Sequence, residues 1–444
     1  MALTELARLS ASLDDIRLTH VVGRISRVGQ NMLEVRGLSH CATLGDRVEV
    51  RGASGTVIGA EVLILTQGAL QLLTDEPTDG IAIHDRVTLL GAVGIAPDDS
   101  WIGRIIDPFG QPLDGKPLLA GQCARKLRAS PPAAARRNRL GARLETGLCG
   151  FNTLLPLVRG QRIGLFAGSG VGKSSLLAKF AKGVAADVAV IALIGERGRE
   201  LREFVENVLG PEGMARSVVI AATSDQSPLV RRRCAWAAMC VAEHFRDQGQ
   251  HVLFLADSIT RFAEAHREIA LAGGEAASLR GFPPSTSHQI MSLAERAGPG
   301  TEGTGDITAV FSVLVPGSDM EEPVADILRG VLDGHVVMDR KIAERGRYPA
   351  IDLLRSVSRA LPAAANAEEN AMIQMARRLL GAYDRAEMMV QAGLYTAGSD
   401  PEVDAALRIW PALDGFIAED EPDNTAASFR RLHSILARAN LRPG

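Results

Sequence analysis

Ala167-Gly168-Ser169-Gly170-Val171-Gly172-Lys173-Ser174 is the stretch that decides how this 444-residue chain is read. An apolar run at 162–167 precedes it and a helical pattern at 174–184 follows, giving strand, glycine-rich loop and helix in succession. Glycines let such a loop curl until several backbone N–H groups point inward, a geometry that holds phosphate oxygens. The following helix adds the positive end of its dipole. A lysine closing the loop reaches the terminal phosphates, and the hydroxyl after it ligates Mg²⁺. Gly168, Ser169, Gly170, Val171, Gly172, Lys173, Ser174 and Ser175 are therefore the candidate nucleotide-binding residues, with Lys173 also catalytic and Ser174 a metal ligand. Ala167 stands where the strict pattern has Gly, but that position only closes the turn from the strand. The alternative is a glycine-rich turn with an incidental lysine, and the flanking strand and helix count against it.

Such a site needs a carboxylate for the metal's shell. The run His251-Val252-Leu253-Phe254-Leu255-Ala256-Asp257 ends in one, and strand C-termini are where α/β sheets bind ligands. Asp257 is the second metal candidate; its alternative role is to cap the next helix. Hydrolysis also needs a group to orient water. Glu196, in Leu193-Ile194-Gly195-Glu196-Arg197-Gly198-Arg199-Glu200, lies just past another apolar run. Spacing leaves it open between that role and a surface pair with Arg197 or Arg199. Arg359, in Ser356-Val357-Ser358-Arg359, could be a charge-neutralising arginine donated to another subunit, but the pattern alone favours an ordinary surface ion pair.

Around this centre the chain changes texture. Residues 3–16 carry Leu3, Leu6, Leu9, Leu13 and Ile16 at helical spacing, so residues 1–18 read as a helical segment. Short β-runs at 20–25, 32–35, 47–50, 57–65 and 86–90, punctuated by glycines, predict a small barrel or sandwich over 19–91. Residues 92–360 contain alternating strands (162–167, 188–194, 218–222, 251–256, 307–315) and helices (174–184, 200–209, 228–248, 259–271), the rhythm of a mostly parallel sheet covered on both faces. Within them, 116–143 carry eight Lys or Arg residues and no acid, which reads as a solvated linker. Residues 361–444 read as helical, broken at 393–401.

Composition narrows the partners. A net charge of −3 and only 4% aromatics argue against nucleic acid. The five cysteines include no CxxC pair, so no zinc site is expected and a reducing cytosol is. No run approaches the ~20 apolar residues of a membrane span, and residues 1–17 do not read as a secretory signal. Any membrane contact is expected to be peripheral.

The stretch GQRIGLFAGSGVGKS at 160–174 closely resembles the flagellum-specific and type III secretion ATPases, relatives of the catalytic subunits of rotary F-type ATP synthases. GRIIDPFGQPLDG at 103–115, GERGRE at 195–200, DSITRFAEAHREI at 257–269, VADILRGVLDGHVVMD at 324–339, YPAID at 348–352, SVSR at 356–359 and GSDP at 398–401 extend the resemblance, in consistent order, over roughly residues 20–410. It implies an α/β fold: a RecA-like P-loop nucleotide domain with a small N-terminal β-barrel and a C-terminal helical domain. It implies an ATP- and Mg²⁺-dependent homohexamer with nucleotide at subunit interfaces. In it Glu196 resembles the catalytic glutamate, Arg197 its phosphate-site neighbour, Arg359 the arginine finger offered to the next subunit, and Tyr348 the aromatic that stacks on adenine. The implied role is a motor for protein export, flagellar in preference to injectisome, at the cytoplasmic face of the inner membrane. Implied partners are export-apparatus regulators, a stalk protein, the export gate, export substrates and chaperones.

Ala256, Phe151-Asn152 and PPSTSHQI at 283–290 depart from the family wording and bear on the choice between flagellar and injectisome systems. Three rivals weigh less. A nucleic-acid translocase needs a basic or aromatic N-terminal domain. A rotary synthase subunit needs a dissimilar partner, whereas one chain here carries both Glu196 and Arg359. A nucleotide-binding scaffold has no need of Lys173, Asp257 and Glu196 together.

Overall fold

A computed structural model describes residues 19–92, 94–315 and 320–440. The expected helical segment at 1–18 lies outside them. Six antiparallel strands come first: β1 (Val22–Val28), β2 (Met32–Arg36), β3 (Arg47–Arg51), β4 (Val57–Thr66), β5 (Ala69–Thr74) and β6 (Arg86–Gly91). They close into a barrel in the order β1-β2-β5-β4-β3-β6. Alternate residues such as Leu33, Val35, Val48, Val50, Leu70 and Leu72 fill its interior, and closure leaves no exposed sheet edge. β5 was not expected. It follows β4 through the two-residue turn Gln67-Gly68, where Gly68 takes a φ of +97°.

The second body is an eight-stranded sheet. Its strands are β7 (Ile105–Ile106), β8 (Arg162–Ala167), β9 (Val188–Glu196), β10 (Ser217–Thr223), β11 (Val252–Asp257), β12 (Ile307–Leu314), β13 (Gly334–Met338) and β14 (Ile351–Ser358). The order is β14-β13-β8-β12-β11-β9-β10-β7, parallel except for β14 at one edge. The five expected strands form its centre; β7, β13 and β14 complete the flanks. Successive residues of each central strand enter different cores. Ile163, Leu165, Ile191 and Leu253 face the helix Lys173–Gly183 and the C-terminal helices. Phe166, Val190, Phe254 and Phe311 face the helices Pro228–Asp247 and Ile259–Ala272. The helix expected at 200–209 is divided into an α-helix, Gly198–Glu203, and a π-helical turn, Phe204–Leu209. Helices Ser285–Arg296 and Pro323–Val331 are additional.

The basic connector is mostly exposed, as expected of a solvated run, but three of its arginines pin it to the core. Arg137 donates to the Ala297 carbonyl at 3.1 Å, Arg125 pairs with Asp247 at 2.8 Å, and Arg143 lies 5.2 Å over the Phe429 ring. The acids that neutralise it are distant in sequence, so a charge run read alone looked unpaired.

Helices Ala367–Gln391, Pro401–Ala418 and Thr425–Ala437 follow. Asn366 opens the first with a capping box to Glu369. Asn152, one of the departures from the family wording, ties this part to the core. Its buried side-chain oxygen accepts from the Thr146 N–H and hydroxyl, both at 2.9 Å, and its amide donates to Ser428 Oγ at 3.1 Å. Asn152→Ala orphans the Thr146 N–H, at a cost of about 1–3 kcal/mol. A melting temperature lowered by several degrees in circular dichroism is expected; an unchanged one would mean that Asn152 holds nothing in place.

Candidate active site

Parallel pairing brings the predicted groups to one edge of the sheet. β8 ends at Ala167 beside Leu314, β11 ends at Asp257 beside Leu193, and β9 runs on to Glu196. The glycine-rich loop leaves β8 and enters its helix at Lys173. Gly170 and Gly172 hold φ of +77° and +88°, values that L side chains rarely adopt. A Cβ on Gly172 would also stand 3.1 Å from Tyr348 Cδ1. Tyr348, 52% exposed, thus lays its ring against the end of the loop.

Lys173 Nζ is ion-paired with Asp257 Oδ1. Asp257 is almost fully buried, and Ser312 of β12 donates to the same oxygen at 2.7 Å. Asp257 does not cap the next helix; Ser258 does, accepting from the Arg261 N–H at 3.4 Å. Ser174, Glu196, Asp257 and Glu200 line one cleft, backed by Leu193, Leu201 and Phe204. Glu196 is therefore not the surface partner of Arg197, which is exposed and pairs with Glu200 at 3.1 Å. Burial first, then the nearby Asp257 carboxylate, push the Glu196 carboxyl up to about 7, against the opposing pull of Lys173 and Arg261.

Arg359 is not brought to this edge. It follows Ser358, whose partner Gly334 starts β13 at the far end of the sheet from the loop. Its Nη2 donates to the Arg329 carbonyl at 3.4 Å. Ser312 and Arg261 escaped the sequence reading. Ser312 sits inside an apolar strand, where one serine carries no signal; Arg261 lies four residues past Asp257 in a stretch quoted only as a resemblance.

A strand-loop-helix phosphate cradle, a lysine and two carboxylates on one parallel edge define a P-loop nucleotide hydrolase. Residues 147–358 match the ATP synthase alpha/beta family, nucleotide-binding domain, and residues 365–434 the T3SS EscN ATPase C-terminal domain. The flagellum-specific ATP synthase of Caulobacter vibrioides is 44% identical over 96% of this chain and 98% of its own. The assembled ATPase EscN from the enteropathogenic E. coli type III secretion system superposes with a TM-score of 0.85 at 34% identity, covering 93% of this chain and all of that one. EscN in complex with its central stalk EscO gives 0.84 at 35%, with the same coverage. The chain belongs to the flagellum-specific and type III secretion ATPases of the ATP synthase alpha/beta family, and it is an ATP-hydrolysing enzyme.

The raised Glu196 pKa has a thermodynamic consequence in the nucleotide-free protein. A carboxyl with a higher pKa folded than unfolded carries no penalty below its unfolded value and its full penalty above the folded one. Glu196→Gln removes that penalty. Its melting temperature relative to wild type is expected to rise between pH 5.5 and pH 8.5; a constant difference would show that Glu196 titrates normally. Gly172→Ala, which forces a Cβ into positive φ against Tyr348, is expected to weaken ATP binding at least tenfold by equilibrium dialysis, and unchanged affinity would mean the cradle tolerates that strain.

Proposed function

We propose that this protein is the ATP-driven motor of a bacterial type III protein export apparatus, most closely of the flagellar kind, working as a homohexameric ring. The single observation that carries the reading is the division of one chain's catalytic groups. Lys173, Ser174, Asp257 and Glu196 collect at one sheet edge, while Arg359 sits at the opposite end. A chain so divided completes its site only with another copy.

Lys173 and the loop amides bind the phosphates, Tyr348 stacks on the adenine, and Lys173 transfers from Asp257 to phosphate oxygens as nucleotide enters. Ser174 and Asp257 line one cleft and are the residues that would hold Mg²⁺, a hydroxyl and a carboxylate being the oxygen donors that ion takes. When bound, Mg²⁺ neutralises charge developing on the phosphates. Glu196 orients the attacking water and takes its proton. Arg197 swings in from its exposed position, and Arg359 of the neighbouring copy stabilises the transition state, an effect of about 10³–10⁵ in rate where such arginines act.

The names of the relatives support the export role: a flagellum-specific ATP synthase is 44% identical and a type 3 secretion system ATPase of Pseudomonas syringae pv. syringae 42%, so identity supports export without choosing between the two systems. By analogy with EscO on EscN, a stalk protein is the first partner to seek; regulators, the export gate, substrates and chaperones follow from the same role. Among the described residues no helix is long and apolar enough to cross a membrane, and attachment to the inner membrane is proposed as peripheral.

Activity measured against protein concentration is expected to rise cooperatively and to ignore added RNA. Lys173→Ala and Arg359→Ala are each expected to be nearly inactive, and their equimolar mixture to recover activity, since roughly a quarter of interfaces in a randomly mixed ring join two intact halves. No recovery, or activity in Arg359→Ala alone, would remove the shared site; strong RNA stimulation would favour a nucleic-acid translocase. Restored motility in a Caulobacter strain lacking its own flagellum-specific ATP synthase is the flagellar outcome, and rescue only of a type III secretion mutant is the injectisome one.

A further inference from the structure

A cavity of about 340 Å³ opens where the barrel, the connector and the helix Pro228–Asp247 meet. Its floor is apolar, formed by buried Leu127 and the ring of Trp236, with exposed Leu44 at one side. Its polar wall is cationic. Arg125, Lys126 and Arg128 come from the connector and Arg233 from the helix, with Asp46 and Glu61 from the barrel; Arg125 is held by Asp247 at 2.8 Å and Arg233 by the Pro108 carbonyl at 3.0 Å.

The acids are already engaged. Asp46 accepts the Thr43 N–H at 2.7 Å. Glu61 is shared between Arg232 at 3.0 Å and Arg128 at 3.6 Å. Those two guanidinium groups both lie over the Trp236 ring, 4.9 and 4.6 Å from its centre. Arg232 is 5% exposed, and its Nε is buried with no hydrogen-bond partner. Burial, opposed by Glu61 and reinforced by Arg128, pushes Arg232 down to about 10. Arg232 does not line the cavity, so the positive charge that faces a ligand comes from Arg128, which shares Glu61 with Arg232, and from Lys126.

We propose that this cavity binds a small organic anion, its apolar body against Leu127 and Leu44 and its carboxylate or phosphate facing Lys126 and Arg128. The volume falls in the usual range for small-ligand sites, about 300–1,000 Å³. None of the lining residues belongs to the cleft around Asp257, so the site is separate from the nucleotide site. A ligand here touches barrel, connector and core at once and braces the first against the last.

The test is isothermal titration calorimetry on the full chain saturated with Mg·ADP, so that the phosphate loop is filled. The probes are 1-naphthyl phosphate, 1-naphthoate and the neutral 1-naphthylmethanol. One anionic probe is expected to bind per chain, at least tenfold tighter than the alcohol, and the tighter of the two anions names the preferred group. Arg128→Gln and Lys126→Gln replace exposed side chains; the first is expected to weaken binding at least tenfold and the second severalfold, both melting as wild type does without probe. Absence of saturable heat with both anions, equal binding of the alcohol, or undiminished affinity in Arg128→Gln would overturn the proposal.

Discussion

Parallel strands end on the same side, and this constraint organises everything else in the molecule. Because β8, β11 and β9 run the same way, the phosphate loop, Asp257 and Glu196 emerge at one edge although long stretches of chain separate them. Only crossover connections through helices can return a chain to the same end of a sheet, so the helices on both faces are a requirement of the site's geometry. The cost appears at the edge itself. Asp257 is buried, and a lone buried carboxylate is expensive; Lys173 and Ser312 are the two groups that offset it.

The same apolar core that supports the loop's helix continues into the C-terminal helices. Leu177 and Phe180 belong to one packed cluster with Leu413 and Phe416. Gly150 lets the helix Cys149–Asn152 approach Ile417 so closely that a Cβ would stand 2.6 Å from its carbonyl oxygen. Close-packed interiors transmit displacement because they have little room to absorb it. A shift of the helix Lys173–Gly183 therefore has a direct physical route into the C-terminal helices, with Asn152 and Ser428 as a polar pin along it.

Legibility followed the strength of the local signal. The centre of the sheet could be read because buried parallel strands are unbroken apolar runs, and the loop because its glycines have a single mechanical purpose. β14 was harder, since an edge strand exposed at Leu354, Arg355 and Val357 has no such run. The pinning of the connector was not legible because the acids that pair with Arg125 and Arg137, namely Asp247 and Glu295, lie far along the chain. Glu196 and Asp257 were ambiguous in one dimension. Only burial distinguishes a carboxylate in a cleft from one on the surface, and only the neighbouring Ser258 shows that the helix cap is already filled. Ser312 had no signal at all, because a hydroxyl inside an apolar strand acquires its role from the strand beside it.

The opposed placement of Arg359 and the phosphate loop also has a genetic reading. On the proposed assignment each copy is a donor on one face and an acceptor on the other, which is a head-to-tail contact, and such contacts make closed rings when the rotation permits. A defective copy then silences one interface of the ring. It takes its own site out of service if its loop is damaged, and its neighbour's site if its arginine is. Alleles of this chain should accordingly behave as dominant poisons when co-expressed with the intact form, with the damaged residue deciding which side of the mutant copy goes silent.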